Sequence, residues 1–582
     1  MSTFLRFALA LSFLWIASAV PLQGQTDPST ARHPIANADL PRVPVVAAHG
    51  MVASQEKRAS RIGVDILRQG GNAVDAAVAV GFALAVTLPK AGNIGGGGFM
   101  LVHLAHGHRT IAIDYRETAP AATTPEIFLS ANGEADPKKS RDSGLGVGVP
   151  GTVAGLALAH ARYGSGKFTL AQLMAPAIAL ARDGFAVEDD LVDSLLLAEP
   201  RLARWPSSAR IFLKAPGVPL GEGDRLVQPE LATTLEEIAR GGPKRFYEGP
   251  IAGKIVAAVR AAGGSMTSDD FKHYRAVVRR PMRGTYRGYA IASMPLSSSG
   301  GVHLIEMLNI LEGFPLGKLG AGTPEATHLM VEAMKFAYAD RADYLGDSAL
   351  AKLPIARLVS KTYATTLRAS IDPNHARAAR EIHPNSTAIV GGNTTHFSVV
   401  DRFGNAVANT YSLNFNYGLG LIADGTGIVL NNELDDFAAK PGAPNAFGLV
   451  GGKANAPGPG KRPLSSMTPT MVFKDGKLML VTGAPGGSRI ITTVLQVILN
   501  VVDFHMNIAQ AVAAPRVHHQ WLPDEVVAEN GSATETIRGL VARGHKVRTG
   551  PTSGSAHSIV VTPQGLTGAA DARARGAEAD GY

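Results

Sequence analysis

The chain contains no cysteine. That absence removes disulfides, thiolate nucleophiles, cysteine-bound metals and attachment of lipid to an N-terminal cysteine. Any nucleophile must be an oxygen or an amine. Charged residues are also sparse, at 18% of 582 residues, and aromatics make up only 6%. The net charge of +8 is scattered, with no basic run flanked by stacking aromatics, which argues against a nucleic-acid partner. A weakly cationic field of this kind favours small anionic substrates. No apolar run reaches the roughly 20 residues that cross a bilayer. What remains, 45% hydrophobic residues in a long chain, is the composition of a globular protein with a large core.

The N-terminus pairs Arg6 with an apolar run over residues 7–16 and then Ala17-Ser18-Ala19, a small-x-small cleavage signal. Residues 1–24 therefore read as a secretory signal peptide, which predicts export to the periplasm or beyond and no stable membrane anchor. The other apolar run, residues 76–86, follows Gly70-Gly71-Asn72 and stops at Pro89, as a buried, alanine-rich core helix would.

Apolar spacing at i, i+3 and i+4 predicts helices over residues 54–68, 153–163, 170–183 and 231–240, with a strand at 110–115. Residues 284–295, "GTYRGYAIASMP", read as one strand before "LSSSGG" and a long amphipathic helix. A helix over 325–344 carries alternating charge on what is expected to be its outer face. Residues 371–393 are polar, hold two prolines and lack periodicity, the texture of an exposed, cleavable linker. Beyond them "TTHFSVV" alternates as a half-buried strand, "DRFGN" turns, and "AVANTYSL" returns as its partner. Further strands are expected at "TGIVLNN", at "TPTMVFKDGKLMLVTG" with an Asp-Gly hairpin, and at "SAHSIVVTPQGLTGAAD". Helices over 491–504 and 508–514 lie between them. The two halves read as layers of one structure.

Several motifs fail on spacing. "YGSGKF" at 163–168 lacks the first glycine of a phosphate loop, because residue 161 is Ala, and Phe168 follows Lys167 where Ser or Thr is needed. His518-His519 and Asp435-Asp436 have no metal-ligand spacing, and "GGSRI" at 486–490 lacks the last glycine of a nucleophile elbow. "GNIGGGGFM" at 92–100 is compatible with an anion cradle and equally with tight packing. There remains the pair Thr394-Thr395. A threonine hydroxyl needs a base, and an N-terminal threonine carries one in its own α-amine, with a pKa of about 7.7–8.0. Such an amine exists only after the preceding peptide bond is cut, and a polar linker ends at Thr394. Taken alone, the pair reads first as two β-formers opening a strand.

The stretches "GGNAVDAAVA", "GNIGGGGFM", "DYRETAP", "VPGTVAG", "TTHFSVVD", "NNELDDFAAKPG", "GKRPLSSMTPT", "TGAPGGSRIITTVLQ" and "APRVHHQWLPDE" together resemble the γ-glutamyltransferase family, a branch of the N-terminal-nucleophile hydrolases. The resemblance runs in family order from about His49 to the C-terminus. It implies an α+β, four-layer αββα sandwich built from both halves of a precursor that cuts itself between Asn393 and Thr394. The products would be a large chain, residues 25–393, and a small chain, residues 394–582, forming one heterodimer.

The resemblance also implies site roles, residue by residue. Thr394 would attack the γ-carbonyl of glutathione or another γ-glutamyl compound and pass the acyl group to water, an amino acid or a dipeptide. Ser412 would hydrogen-bond the nucleophile, and the Gly486 and Gly487 amides would hold the oxyanion. Arg116 would grip the substrate α-carboxylate with Ser465 and Ser466, and Asn414, Glu433 and Asp436 would take the α-ammonium. No metal or organic cofactor is implied. Two departures stand out: Ser412 replaces a more usual Thr, and Phe447 occupies a lid position where well-known bacterial members have Tyr. A related amidase of the same fold is the enzymatic alternative, either a β-lactam side-chain acylase or a poly-γ-glutamate depolymerase. An inactive periplasmic γ-glutamyl-binding relative is the non-enzymatic one.

Overall fold

The computed structural model describes residues 42–347, 353–382, 394–551 and 554–582. The expected signal peptide, Asn393 and the last part of the expected linker lie outside the described residues.

Two seven-stranded sheets face each other. In the first, the order is Glu578–Gly581, Met51–Ser54, Thr394–Val400, Ala406–Ser412, Gly97–Leu104, Arg109–Tyr115 and Val277–Arg279, every neighbour antiparallel. In the second, it is Val45–Ala47, Gly565–Ala570, His557–Thr562, Lys477–Thr482, Thr470–Lys474, Tyr289–Ser293 and Met282–Tyr286, also antiparallel throughout.

Apolar residues of both sheets, among them Met51, Phe99, Leu101, Met294, Met471 and Ile559, fill the space between them. The outer face of the first sheet presents Met100, Val102, Phe397, Val399 and Tyr411 to a helical layer that includes Lys57–Arg68, Ala73–Thr87 and Leu170–Asp183. The second sheet's outer face, with Ile291, Val472 and Leu480, is covered by Gly300–Leu311, Pro324–Tyr344 and Ile490–Val502. The architecture is thus the αββα sandwich the sequence implies. Both sheets contain strands from before and after residue 393, so neither half owns a complete one.

Local signals explain the elements nearest the site. Asn72 caps the helix Ala73–Thr87 in a reciprocal box with Asp75, and every residue of that helix is buried, which suits a text that is apolar apart from Asp75 and Thr87. Asp475 and Gly476 both take positive φ and close the expected hairpin.

Four expectations change. The single strand at 284–295 is a hairpin, because Arg287 and Gly288 both adopt positive φ, as a type I′ turn requires. "TGIVLNN" contributes only the two-residue strand Ile428–Val429. The strand Thr394–Val400 is buried on both faces, since one side meets helices and the other meets the second sheet. The helix Pro324–Tyr344 exposes charge only near its ends, at Glu325 and Asp343: Glu332, Lys335, Asp340 and Arg341 are all buried, and Lys335 pairs with Glu332 at 2.8 Å. Of the expected linker, residues 372–375 are exposed, while Trp521 Nε1 donates to the Ala379 carbonyl and Arg377 N–H to Glu332. No helix among the described residues is long and apolar enough to cross a membrane.

Candidate active site

Thr394 opens a central strand of the first sheet, and its register partner on the next strand is Ser412. Alternation turns Thr394, His396 and Ser398 toward the second sheet. Thr395, Phe397 and Val399 face the helices. The Thr394 hydroxyl lies 3.5 Å from Ser412 Oγ, the long limit of a hydrogen bond, and Ser412 Oγ also accepts from Asn414 N–H at 2.7 Å.

The glycine-rich loop fixes this pair from the side. Ser412 also sits in register with Gly97, and Asn93 Nδ2 donates to the Ser412 carbonyl at 2.9 Å. A Cβ at Gly96 would strike that carbonyl, and Cβ atoms at Gly95, Gly97 and Gly98 would strike backbone oxygens of Val429, Tyr115 and Thr410. Of the two readings of "GNIGGGG", close packing of backbones is therefore the one the geometry supports.

A cavity of about 20 Å³, room for roughly one water, opens over Thr394. Ser412, Asn414, Glu433, Asp436, Ser465 and Ser466 line it. Gly487, Phe447, Leu449, Met467 and Ile490 complete the wall. Three of these residues each leave a buried polar atom unpartnered: Asn414 Oδ1, Glu433 Oε2 and Ser466 Oγ. Buried polar atoms are nearly always hydrogen-bonded, so three orphans around one cavity point to a polar ligand.

Arg116 lies behind the cavity wall and is fully buried. Its guanidinium pairs with Glu433 and Asp436, while Glu117 stands 3.7 Å away with both carboxylate oxygens unpartnered. Burial disfavours the Arg116 charge, but Glu433, Asp436 and Glu117 outweigh it and hold the guanidinium above its ordinary range. Burial also pushes the Glu433 carboxyl up to about 7, against the pull of Arg116. Asp436 moves in the same direction for the same reason. One cation thus stands among three acids, and it leaves Glu433 Oε2 and both Glu117 oxygens without a hydrogen bond. Any anion that reached Arg116 would compete with Glu433 and Asp436 for its guanidinium.

Gly486 and Gly487 both hold positive φ, at 131° and 57°. Among the described residues neither amide N–H donates a hydrogen bond, the condition an oxyanion site requires. Gly487 lines the cavity and Gly486 does not. A Cβ at Gly487 would enter the Phe447 ring, so Phe447 lies directly on this turn.

The cavity gathers Thr394, Ser412, Asn414, Glu433, Asp436, Phe447, Ser465, Ser466 and Gly487, with Arg116 one layer back and Gly486 beside Gly487 but outside the lining. His518-His519 does not join them: His518 bonds Thr492 and Gln520, and His519 bonds Trp521 N–H and faces Asp524.

Sequence reasoning missed three supports. Asn445 donates to Asp436 at 3.0 Å and accepts from Phe447 N–H, tying lid to acid cluster; its only signal was its place two residues before Phe447. Arg341 donates to Ser299, which donates to the Ser465 carbonyl, and so fixes the serine pair. Ser140 and Arg141 hold Asp435. The last two supports arrive from distant segments and had no local signature.

The sequence profile of the gamma-glutamyltranspeptidase family matches residues 59–581. The chain belongs to this family. It is 53% identical over 533 residues to the glutathione hydrolase proenzyme of Escherichia coli (strain K12), covering 91% of each chain. Among solved structures, the cephalosporin acylase from Bacillus halodurans superposes with a TM-score of 0.83 at 27% identity, over 95% of this chain and 99% of that one. The Helicobacter pylori gamma-glutamyltranspeptidase gives a TM-score of 0.56 at 42% identity, over 60% of this chain and 97% of that one.

Proposed function

We propose that this family member is a self-processing γ-glutamyltransferase and glutathione hydrolase whose nucleophile is Thr394. The observation that carries the reading is the single cavity that joins Thr394 and Ser412 to unpartnered polar atoms of Asn414, Glu433 and Ser466.

In maturation, the Thr394 hydroxyl attacks the Asn393 carbonyl, the peptide bond gives way to an ester, and water cleaves it. This frees the Thr394 amine and leaves residues 25–393 and 394–582 as two chains held by shared sheets. The Helicobacter pylori chain covers 60% of this one, close to the share that residues 25–393 occupy. Export through residues 1–24 to the periplasm completes the reading.

In turnover, the donor's α-carboxylate displaces an acid from Arg116 and meets the Ser465 and Ser466 hydroxyls. Its α-ammonium takes Glu433, Asp436 and Asn414 Oδ1. The Thr394 amine accepts the hydroxyl proton as Oγ adds to the γ-carbonyl, and the amides of Gly486 and Gly487 receive the oxyanion. Collapse expels the amine, which takes up that proton. Water, an amino acid or a dipeptide then attacks the γ-glutamyl ester and restores Thr394.

The acylase neighbour motivates one alternative, an amidase acting on acyl chains without an ammonium. Such a substrate would leave the acids around Arg116 without a partner. Comparing turnover of γ-glutamyl-p-nitroanilide with that of glutaryl-p-nitroanilide tests the choice. The γ-glutamyl compound is expected to be preferred at least about 100-fold, because a pocket built to pair a charge discriminates strongly against its absence. Equal turnover of the two would favour the amidase.

A further inference from the structure

Phe447 lines the cavity over Thr394, and a Cβ at Gly487 would enter its ring. The ring has no polar atom, so its place on the glycine turn depends on packing and on its own backbone. That backbone is gripped from both sides by buried side-chain amides. Asn445 Oδ1 accepts from the Phe447 N–H at 2.9 Å, and Gln520 Nε2 donates to the Phe447 carbonyl at 3.1 Å.

The Gln520 side of this grip leads back to the glycine turn. Gln520 Nε2 also donates to the Leu522 carbonyl at 3.2 Å, which fixes the amide orientation and leaves Oε1 as the acceptor 2.9 Å from His518 Nε2. His518 therefore carries its proton on Nε2, and its Nδ1 accepts from the Thr492 hydroxyl at 2.9 Å. The same hydroxyl lies 3.0 Å from the Arg489 carbonyl and shares its proton between the two. Burial, and then the nearby Arg489 charge, hold His518 neutral, with its pKa down to about 3. Thr492 stands in the first turn of the helix Ile490–Val502, directly after Gly487–Arg489. Hydrogen bonds thus run from Thr492 through His518 and Gln520 to Phe447, whose ring rests on Gly487. The loop of contacts encloses the turn that holds the two free amides.

We propose that Gln520 is a positioning residue for acyl transfer: with Asn445 it clamps the Phe447 backbone and keeps the ring over the Gly486–Gly487 turn. The inference rests on the γ-glutamyl reading above. Gln520 does not line the cavity, so it leaves the groups assigned to the glutamate head in place. It acts instead on the steps that build an oxyanion, which are both formation and hydrolysis of the ester. Without its bond the ring tilts off Gly487, water reaches the two amides, and that water competes with the oxyanion for them.

The test is a double-mutant cycle on Gln520→Met and Phe447→Ala, read as hydrolysis of γ-glutamyl-p-nitroanilide by the matured heterodimer at pH 8. Gln520→Met keeps the length of the side chain and removes its donor. It is expected to lower kcat about tenfold, the size of one buried carbonyl left unpaired, with KM within about twofold of wild type. In the Phe447→Ala background the same change should alter kcat by less than about twofold, because no ring remains to be held. Gln520→Glu keeps the acceptor for His518 and loses the donor to Phe447; it should lower kcat in the same way, and it decides the matter if Gln520→Met does not mature. An unchanged kcat in the wild-type background, or equal losses in both backgrounds, would overturn the clamp. Failure of the wild type to turn over the anilide would instead overturn the γ-glutamyl reading itself.

Discussion

At the scale of single residues, the two adjacent threonines are unequal. Thr394 faces the cavity beside Ser412, whereas Thr395 sits on the helix-facing side with its hydroxyl buried and unpartnered. Glu433 offers a sharper handle. Its carboxyl titrates near 7 in the fold and must be ionised to receive an ammonium. KM for a γ-glutamyl donor should therefore rise as pH falls from 8 to 6, while kcat follows the Thr394 amine, at about 7.7–8.0. Glu433→Gln should raise KM at pH 8 by about tenfold or more, the cost of losing a charge-assisted bond, and should remove most of the climb toward pH 6. Steady-state profiles of both proteins check this; a variant with the wild-type KM profile would refute the role. Gly487→Ala places a methyl in the Phe447 ring on a left-handed backbone, and kcat should fall by about 100-fold or more through the oxyanion site.

At the scale of elements, the glycine loop and the nucleophile strand depend on each other. The strand Gly97–Leu104 lies beside Ala406–Ser412, and a Cβ at Gly98 would collide with the Thr410 carbonyl and with Tyr411. Gly98→Ala should destabilise the protein by about 1–3 kcal/mol, as overpacking of a filled core does. It should also lower kcat, because the displaced strand carries Ser412. Thermal unfolding and steady-state rates measure the two effects.

Elements also show what sequence patterning conveys. The helix Ala73–Thr87 was legible because its text is apolar on every side and its cap is explicit. The strand at Thr394–Val400 was legible as a strand but not as a central one. Its alternation resembles a half-solvated face, yet His396 bonds Thr410 and Ser398, and Ser398 donates to the His557 carbonyl, so polar groups are satisfied between the sheets. The charges of Pro324–Tyr344 misled in the same way, because Glu332 and Lys335 neutralise each other inside the protein. Period alone does not separate solvent from an internal partner.

At the scale of the whole molecule, the layered fold and the gathering of site residues were legible through the joint resemblance of many motifs, none sufficient alone. What lay beyond reach was the distance between segments: Arg341 reaching Ser299, or Arg116 turned into its own acids.

The interleaved sheets make stability a property of both halves at once, and buried histidines couple it to pH. His557 is held down to about 4, first by burial, well below its unfolded value near 6.5. Between these values the unfolded chain takes up a proton that the folded chain refuses, so this residue's contribution falls as pH drops from 6.5 toward 4. In the uncut Thr394→Ala background, His557→Gln should cost stability at pH 7.5, and that deficit should shrink by about 2 kcal/mol at pH 5. Denaturant unfolding at the two pH values measures it; a constant deficit would contradict the buried neutral state.

The central claim is that one bond, Asn393–Thr394, is cut by the residue that then performs catalysis. N-terminal sequencing of the smaller chain from purified, active protein tests it most directly, alongside Thr394→Ala. The account predicts a small chain beginning Thr-Thr-His-Phe, and a Thr394→Ala protein that stays full-length and turns over no γ-glutamyl donor. Full activity in an uncut chain, or a Thr394→Ala protein cut at the same bond, would contradict it.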